Sequence, residues 1–173
     1  MKKFFLYTLL LLSTQLIYGQ RVYFKILDEK TEVDKYGVIT LYVETGNKSK
    51  KDINILKPAT DDNQKWRYYT SEIECENRPL WVSAGEVKKQ PYSDFDILTI
   101  PSKSKIEIIV KGYLNTDNLG CLSENFKVKL IYDVKELIDD INSNSLTDAE
   151  KIVIKKLSRI KIVSKSTFIN IKS

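Results

Sequence analysis

FKVKLIYDVKELIDDI, residues 126–141, carries two hydrophobic periods in a single run. From Phe126 to Asp133 the apolar side chains fall at every second position, as Phe126, Val128, Leu130 and Tyr132, the period of a strand with one face buried. From Val134 they fall at i, i+3, i+4 and i+7, as Val134, Leu137, Ile138 and Ile141, the stripe of a half-buried helix with Asp133 placed to cap it. A second helix is expected from Thr147, whose spacing to Glu150 matches a capping box, with Ile152, Val153 and Leu157 on its buried side and residues 142–146 as the turn. The helical segment thus covers about residues 134–157.

Upstream of this switch, period two recurs between turn signals. Val22 to Leu27, Tyr36 to Thr45, Asp52 to Leu56, Trp66 to Cys75, Asp94 to Ile100 and Lys105 to Tyr113 all read as strands. Gly46-Asn47-Lys48 is expected to turn the chain between the second and third. Pro58, Pro79, Pro91 and Pro101 are expected at or beyond strand ends, where a missing N–H is tolerated. Downstream, Arg159 to Ser164 and Thr167 to Ile171 return to β character, as one bulged strand or as two pieces. The fold expected is mainly β, an antiparallel β-sandwich with an αα-hairpin inserted before its last strand.

The first twenty residues, MKKFFLYTLLLLSTQLIYGQ, have the layout of a secretory signal peptide: Lys2 and Lys3, an apolar run from Phe4 to Leu12 too short for a bilayer of about 30 Å, and a short exit ending at Gly19. Residues 1–19 are expected to be removed, leaving 20–173 as one domain in the periplasm or outside the cell, with no transmembrane anchor. Without the two lysines the formal charge falls from +5 to +3, too little to point to nucleic acid. Six acids between Asp133 and Glu150 face seven Lys or Arg from Lys151 onward, blocks expected to neutralise each other.

The chain has no histidine, which removes His-based nucleophile activation, an imidazole base and the His-containing zinc sets. Its two cysteines, Cys75 and Cys121, are expected to pair in an oxidising compartment, closing a loop worth about 4 kcal/mol of unfolded-state entropy. No metal and no cofactor is expected.

The succession ITLYVETGNKSKKDINIL (39–56), IPSKSKIEIIVKGYL (100–114), NFKVKLIYD (125–133) and IKIVSKSTFINI (160–171) resembles strands B to C, E, F and G of the small immunoglobulin-like sandwiches of exported bacterial proteins. The resemblance implies an immunoglobulin-like sandwich acting as a binding or inhibitory module. Two features depart from the antibody-type pattern: the cysteines would tie strand ends or loops, and Phe126 stands without a hydroxyl where a tyrosine corner would lie.

Several residues are candidates for contact chemistry. Trp81, Tyr92 and Phe95, in or beside the irregular stretch from Glu76 to Asp94, would offer aromatic area to a peptide or sugar. Glu72, Glu74 and Glu76 alternate on a strand and could meet a cation. Lys151, Lys155, Lys156 and Arg159 would line the outer face of the second helix. For catalysis only carboxylates such as Asp94, Asp96, Asp139 and Asp140 are at hand, and no motif brings them together. The expected function is therefore a non-enzymatic binding or inhibitory module of the bacterial envelope, acting on a protein, peptide or glycan there or outside the cell. A structural or assembly accessory protein is the alternative, and a carboxylate glycoside hydrolase comes behind both.

Overall fold

The computed structural model describes residues 21–33, 38–58, 68–75, 78–81, 91–113, 125–142 and 145–170. In chain order the strands are β1 (Val22–Ile26), β2 (Glu32–Val33), β3 (Val38–Asn47), β4 (Ile53–Leu56), β5 (Tyr69–Cys75), β6 (Arg78–Trp81), β7 (Ile97–Ile100), β8 (Lys105–Tyr113) and β9 (Asn125–Asp133). Two short helices, α1 (Lys135–Asp139) and α2 (Asp148–Lys155), precede β10 (Lys161–Val163) and β11 (Thr167–Asn170). The fold is mainly β, and every strand pair is antiparallel.

The first sheet is built on β3. Its alternation buries Ile39, Leu41 and Val43, and β8 pairs with it from Val38↔Tyr113 to Gly46↔Lys105, bringing Ile108 and Val110 to the same interior. The other edge of β3 is shared: β1 lies along Val43–Asn47 and β2 along Ile39 and Thr40. A 3₁₀ turn at Asp28–Lys30 separates β1 from β2, so the two act as one interrupted edge strand. The expected turn at Gly46-Asn47-Lys48 begins later than the sequence suggests, because Gly46 and Asn47 still pair with β1. The ring of Tyr23 lies so close to the Gly46 backbone that a Cβ there would overlap it, which is why glycine sits inside a strand.

The second sheet is built on β9, with β5 along one edge and β10 and β11 along the other. Lys161–Val163 pair with Asp133–Ile131, whereas Thr167–Asn170 pair with Val128–Asn125, one residue out of step. The last strand is thus a single strand, at the edge among the described residues, with a bulge at residues 164–166. Ser164 fills it: its Oγ accepts from the Leu130 amide at 2.9 Å and donates to the Lys165 carbonyl at 2.8 Å. Beyond β5 lies β6, in a stretch expected to be irregular. Pro79 sits inside β6, not beyond a strand end, and the sheet tolerates it because β6 is an edge strand among the described residues.

The ladder between β3 and β8 resumes, two residues out of register, as β4 on β7. Lys57 N–H donates to the Asp96 carbonyl, so the even-numbered backbone groups of β4 face away from β7. All of them find partners. Asn54 N–H donates to Ser158 Oγ and its carbonyl accepts from the Ser158 amide. Leu56 N–H donates to the Tyr132 hydroxyl at 3.1 Å, and its carbonyl accepts from the Tyr69 hydroxyl at 2.6 Å. Tyr69 and Tyr132 come from β5 and β9, their rings 4.9 Å apart, and Phe24 of β1 stacks on Tyr69 at 6.2 Å. These phenols therefore tie β4 to the second sheet, and burial raises the pKa of both, keeping them neutral.

The helices lie within the expected segment, with two corrections. Val134, not Asp133, takes the N-cap position of α1, and the Asp133 carboxylate instead accepts from the Lys135 amide and pairs with Lys161. On α2 the capping box of Thr147 and Glu150 forms, but Ile152 is 59% exposed. The buried stripe is Glu150, Val153, Ile154 and Leu157, which share one helical face at i, i+3, i+4 and i+7. The 94–100 segment also opens differently: a 3₁₀ turn capped by Ser93 and Asp96 comes before β7 begins at Ile97.

Candidate binding surface

The aromatic residues singled out in the sequence do not form one platform. Tyr92 is only 6% exposed, its hydroxyl donating to that of Tyr68 at 3.1 Å, and its amide is bonded by the buried Glu150 carboxylate of α2. Phe95 is 86% exposed. The backbone of Trp81 ends β6, and its side chain lies outside the described residues, as do the Cys75 side chain, Cys121 and residues 1–19. A short, proline-bearing loop sequence carries no signal that distinguishes a core tyrosine from an exposed one. The signal for Tyr92 lay elsewhere, in Glu150, an acid on the buried face of a helix that needs a donor.

Four of the carboxylates singled out pair with four separate cations. Glu72 pairs with Lys129 at 2.6 Å and Glu74 with Lys127 at 2.9 Å across β5 and β9, while Glu76 lies outside the described residues. Asp94 pairs with Lys156, Asp139 with Arg159, and Asp96 accepts from Ser93 as part of a cap. The Arg159 hydrogen bonds hold the Asp139 carboxyl below the usual aspartate range. The basic and acidic blocks thus meet at Arg159–Asp139 and Lys161–Asp133; α2 ends at Lys155, so Arg159 lies beyond the helix face expected to carry it, and Lys151 on the helix pairs with Asp148.

A surface absent from the sequence reading comes from the two edge strands. Lys48 N–H donates to the Arg21 carbonyl at 2.6 Å and Leu27 N–H to the Tyr42 carbonyl at 2.8 Å, so β1 bonds β3 through its odd-numbered residues. Antiparallel alternation then turns the N–H and C=O of Val22, Phe24 and Ile26 away from β3. Among the described residues no strand pairs with that edge of β1, nor with the edge of β10 and β11 opposite β9. Between the two edges runs an open groove of about 640 Å³. Its apolar lining includes Phe24, Ile26 and Val163, and its charged lining is Lys25, Lys48 and Lys165 against the single acid Asp28. The bulge at residues 164–166 borders the groove, with exposed Lys165 and Ser166 on it. Lys48 also lies over the Tyr23 ring, 5.0 Å from its centre, and the Tyr23 hydroxyl donates to Glu44 at 3.1 Å.

No family model matches this chain, and no curated protein does. Among the described residues no helix is long and apolar enough to cross a membrane.

Proposed function

We propose that the chain is an exported, non-enzymatic binding module with an immunoglobulin-like sandwich, and that it holds an extended, acidic segment of a partner protein along β1. The pairing scheme supports the sandwich. In it β1, β3 and β8 take the places of strands A, B and E, while β10 with β11, β9, β5 and β6 take those of G, F, C and C′. Here β5, not β4, lies beside β9, so strand C starts at Tyr69 instead of in the 52–56 segment. The helical pair then occupies the F to G connection, and a Cys75–Cys121 bridge would join the end of strand C to the segment before strand F.

The observation that carries the binding reading is the edge of β1, unpaired among the described residues, beside a groove with three lysines and one acid. Five residues of strand span about 17 Å, and an added strand would sit about 4.8 Å from β1, bonding Val22, Phe24 and Ile26 through their outward backbone groups. Backbone bonds give such a site affinity for any extended chain, and the lysines select acidic side chains. The test is selection of displayed random peptides on the mature protein. Enriched sequences rich in Asp and Glu, whose binding is lost with Ser166→Trp and after N-methylation of alternate peptide amides, support the proposal. Enrichment of sequences that bind Ser166→Trp equally well refutes it.

A further inference from the structure

We propose that the loops at residues 48–51 and 101–104 form a second, separate site, a cradle for a phosphate- or sulfate-bearing group. Arg21, Lys48, Lys50, Lys51 and Lys103 line one open concavity of about 640 Å³ together with Ser49. The cations around this hollow repel each other, whereas several lysines elsewhere are held in ion pairs. Lys30 pairs with Glu107, Lys105 with Glu44, Lys127 with Glu74 and Lys129 with Glu72. Among the described residues Lys48, Lys50, Lys51 and Lys103 are in no such pair.

The hollow is built and held. Asn47 is 1% exposed, and its amide nitrogen donates to the carbonyls of Lys51 at 2.9 Å, Ile100 at 3.0 Å and Pro101 at 3.2 Å, joining the two loops from below. Its side-chain oxygen accepts from the Ser49 amide at 2.9 Å. Ser102 closes the other side, its hydroxyl donating to the Ser49 carbonyl and its amide to Asp52, whose carboxylate stays charged beside the loops but does not line the hollow. Lys103 adopts φ 59°, a left-handed conformation unfavourable for lysine, and in it donates to the Lys48 carbonyl at 2.5 Å. An ammonium has three donors, so two remain for a ligand. The fixed loop pair roots these lysines around one concavity and holds the Lys103 ammonium in place, and lysines so gathered act as point-charge phosphate binders.

Lys50, Lys51 and Lys103 do not line the β1 groove, so this proposal and the peptide reading fail independently. The test is titration of the mature protein with inorganic phosphate, followed by backbone amide shifts. The expected result is saturation, with shifts centred on residues 48–51 and 101–104. Lys50→Gln, Lys51→Gln and Lys103→Gly should each weaken it by about fivefold, close to 1 kcal/mol, and Lys127→Gln should leave it unchanged. Lys50→Gln and Lys51→Gln should also unfold at slightly higher temperature in low salt, since each relieves repulsion. Vesicles of phosphatidylglycerol, with phosphatidylcholine as control, separate the sources. Binding that phosphate competes away indicates a lipid headgroup, and phosphate binding without vesicle binding indicates a soluble ligand. Absence of saturation, or an equal loss in Lys127→Gln, overturns the proposal.

Discussion

Replacing Tyr69 by Phe removes one oxygen from the interior and leaves the ring where it packs against Phe24 and Tyr132. The loss falls on the Leu56 carbonyl, which faces away from β7 and accepts from the Tyr69 hydroxyl at 2.6 Å. Leu56 is 2% exposed, so water does not replace the donor. An unsatisfied buried acceptor costs about 1–3 kcal/mol. For a domain of about 150 residues each kcal/mol moves Tm by about 2–4 °C, so Tyr69→Phe should lower it by about 4–8 °C at a midrange loss of about 2 kcal/mol. Tyr132→Phe leaves the Leu56 N–H without its acceptor and should fall in the same range. Because both bonds end on one residue and the rings touch, the double variant should lose less than the two single losses added together. Urea and thermal unfolding with coincident probes measure all three. A Tyr69→Phe loss below about 0.5 kcal/mol would refute the idea that these phenols tie β4 to the second sheet. The same phenols set an alkaline limit. Their pKa values are raised in the folded state from the ordinary 10.0, mainly by burial, so above about pH 10 the unfolded chain ionises them first and stability falls as pH rises. That fall should be shallower in Tyr69→Phe.

Three further substitutions address other parts of the fold. Thr45 carries a buried hydroxyl with no hydrogen-bond partner among the described residues, so Thr45→Val should raise stability by about 1 kcal/mol in urea unfolding. Gly46→Ala forces the Tyr23 ring off the strand, breaking its bond to Glu44 and its contact with Lys48, and should lower stability by about 1–2 kcal/mol with a change in tyrosine fluorescence. Asp139 has a lowered pKa, chiefly through its hydrogen bonds to Arg159. The pair's contribution is therefore present above the ordinary aspartate value of 3.8 and is lost as pH falls through the lowered one. Carboxyl titration by NMR should show the Asp139 midpoint returning toward 3.8 in Arg159→Gln.

Strand identity was readable because Ile39, Leu41 and Val43, or Phe126, Val128 and Leu130, alternate against polar neighbours over long ladders. The capping box at Thr147 and Glu150 was readable for the same local reason. What escaped depends on contacts distant in sequence. Ile152 sits beside Val153 and Ile154 in an apolar run, and only the packing of the helix decides which of them faces out. Arg78–Trp81 contains a proline and has no clean period, yet becomes a strand because β5 offers it an edge. Tyr69 and Tyr132 are strand residues in any reading, but that their hydroxyls meet at Leu56 follows from register. The groove and the basic cradle escaped too, because the first joins Val22–Ile26 to residues 163–167 and the second joins residues 48–51 to 101–104. Neither is a spacing along the chain.

The most direct test of the binding account is amide hydrogen exchange of β1 with and without a selected acidic peptide. The amides of Phe24 and Ile26, which face the groove, should become protected on binding, while those of Tyr23 and Lys25, already bonded to β3, should change little. Protection that falls equally on odd and even residues of β1, or that appears elsewhere and spares β1, would contradict it.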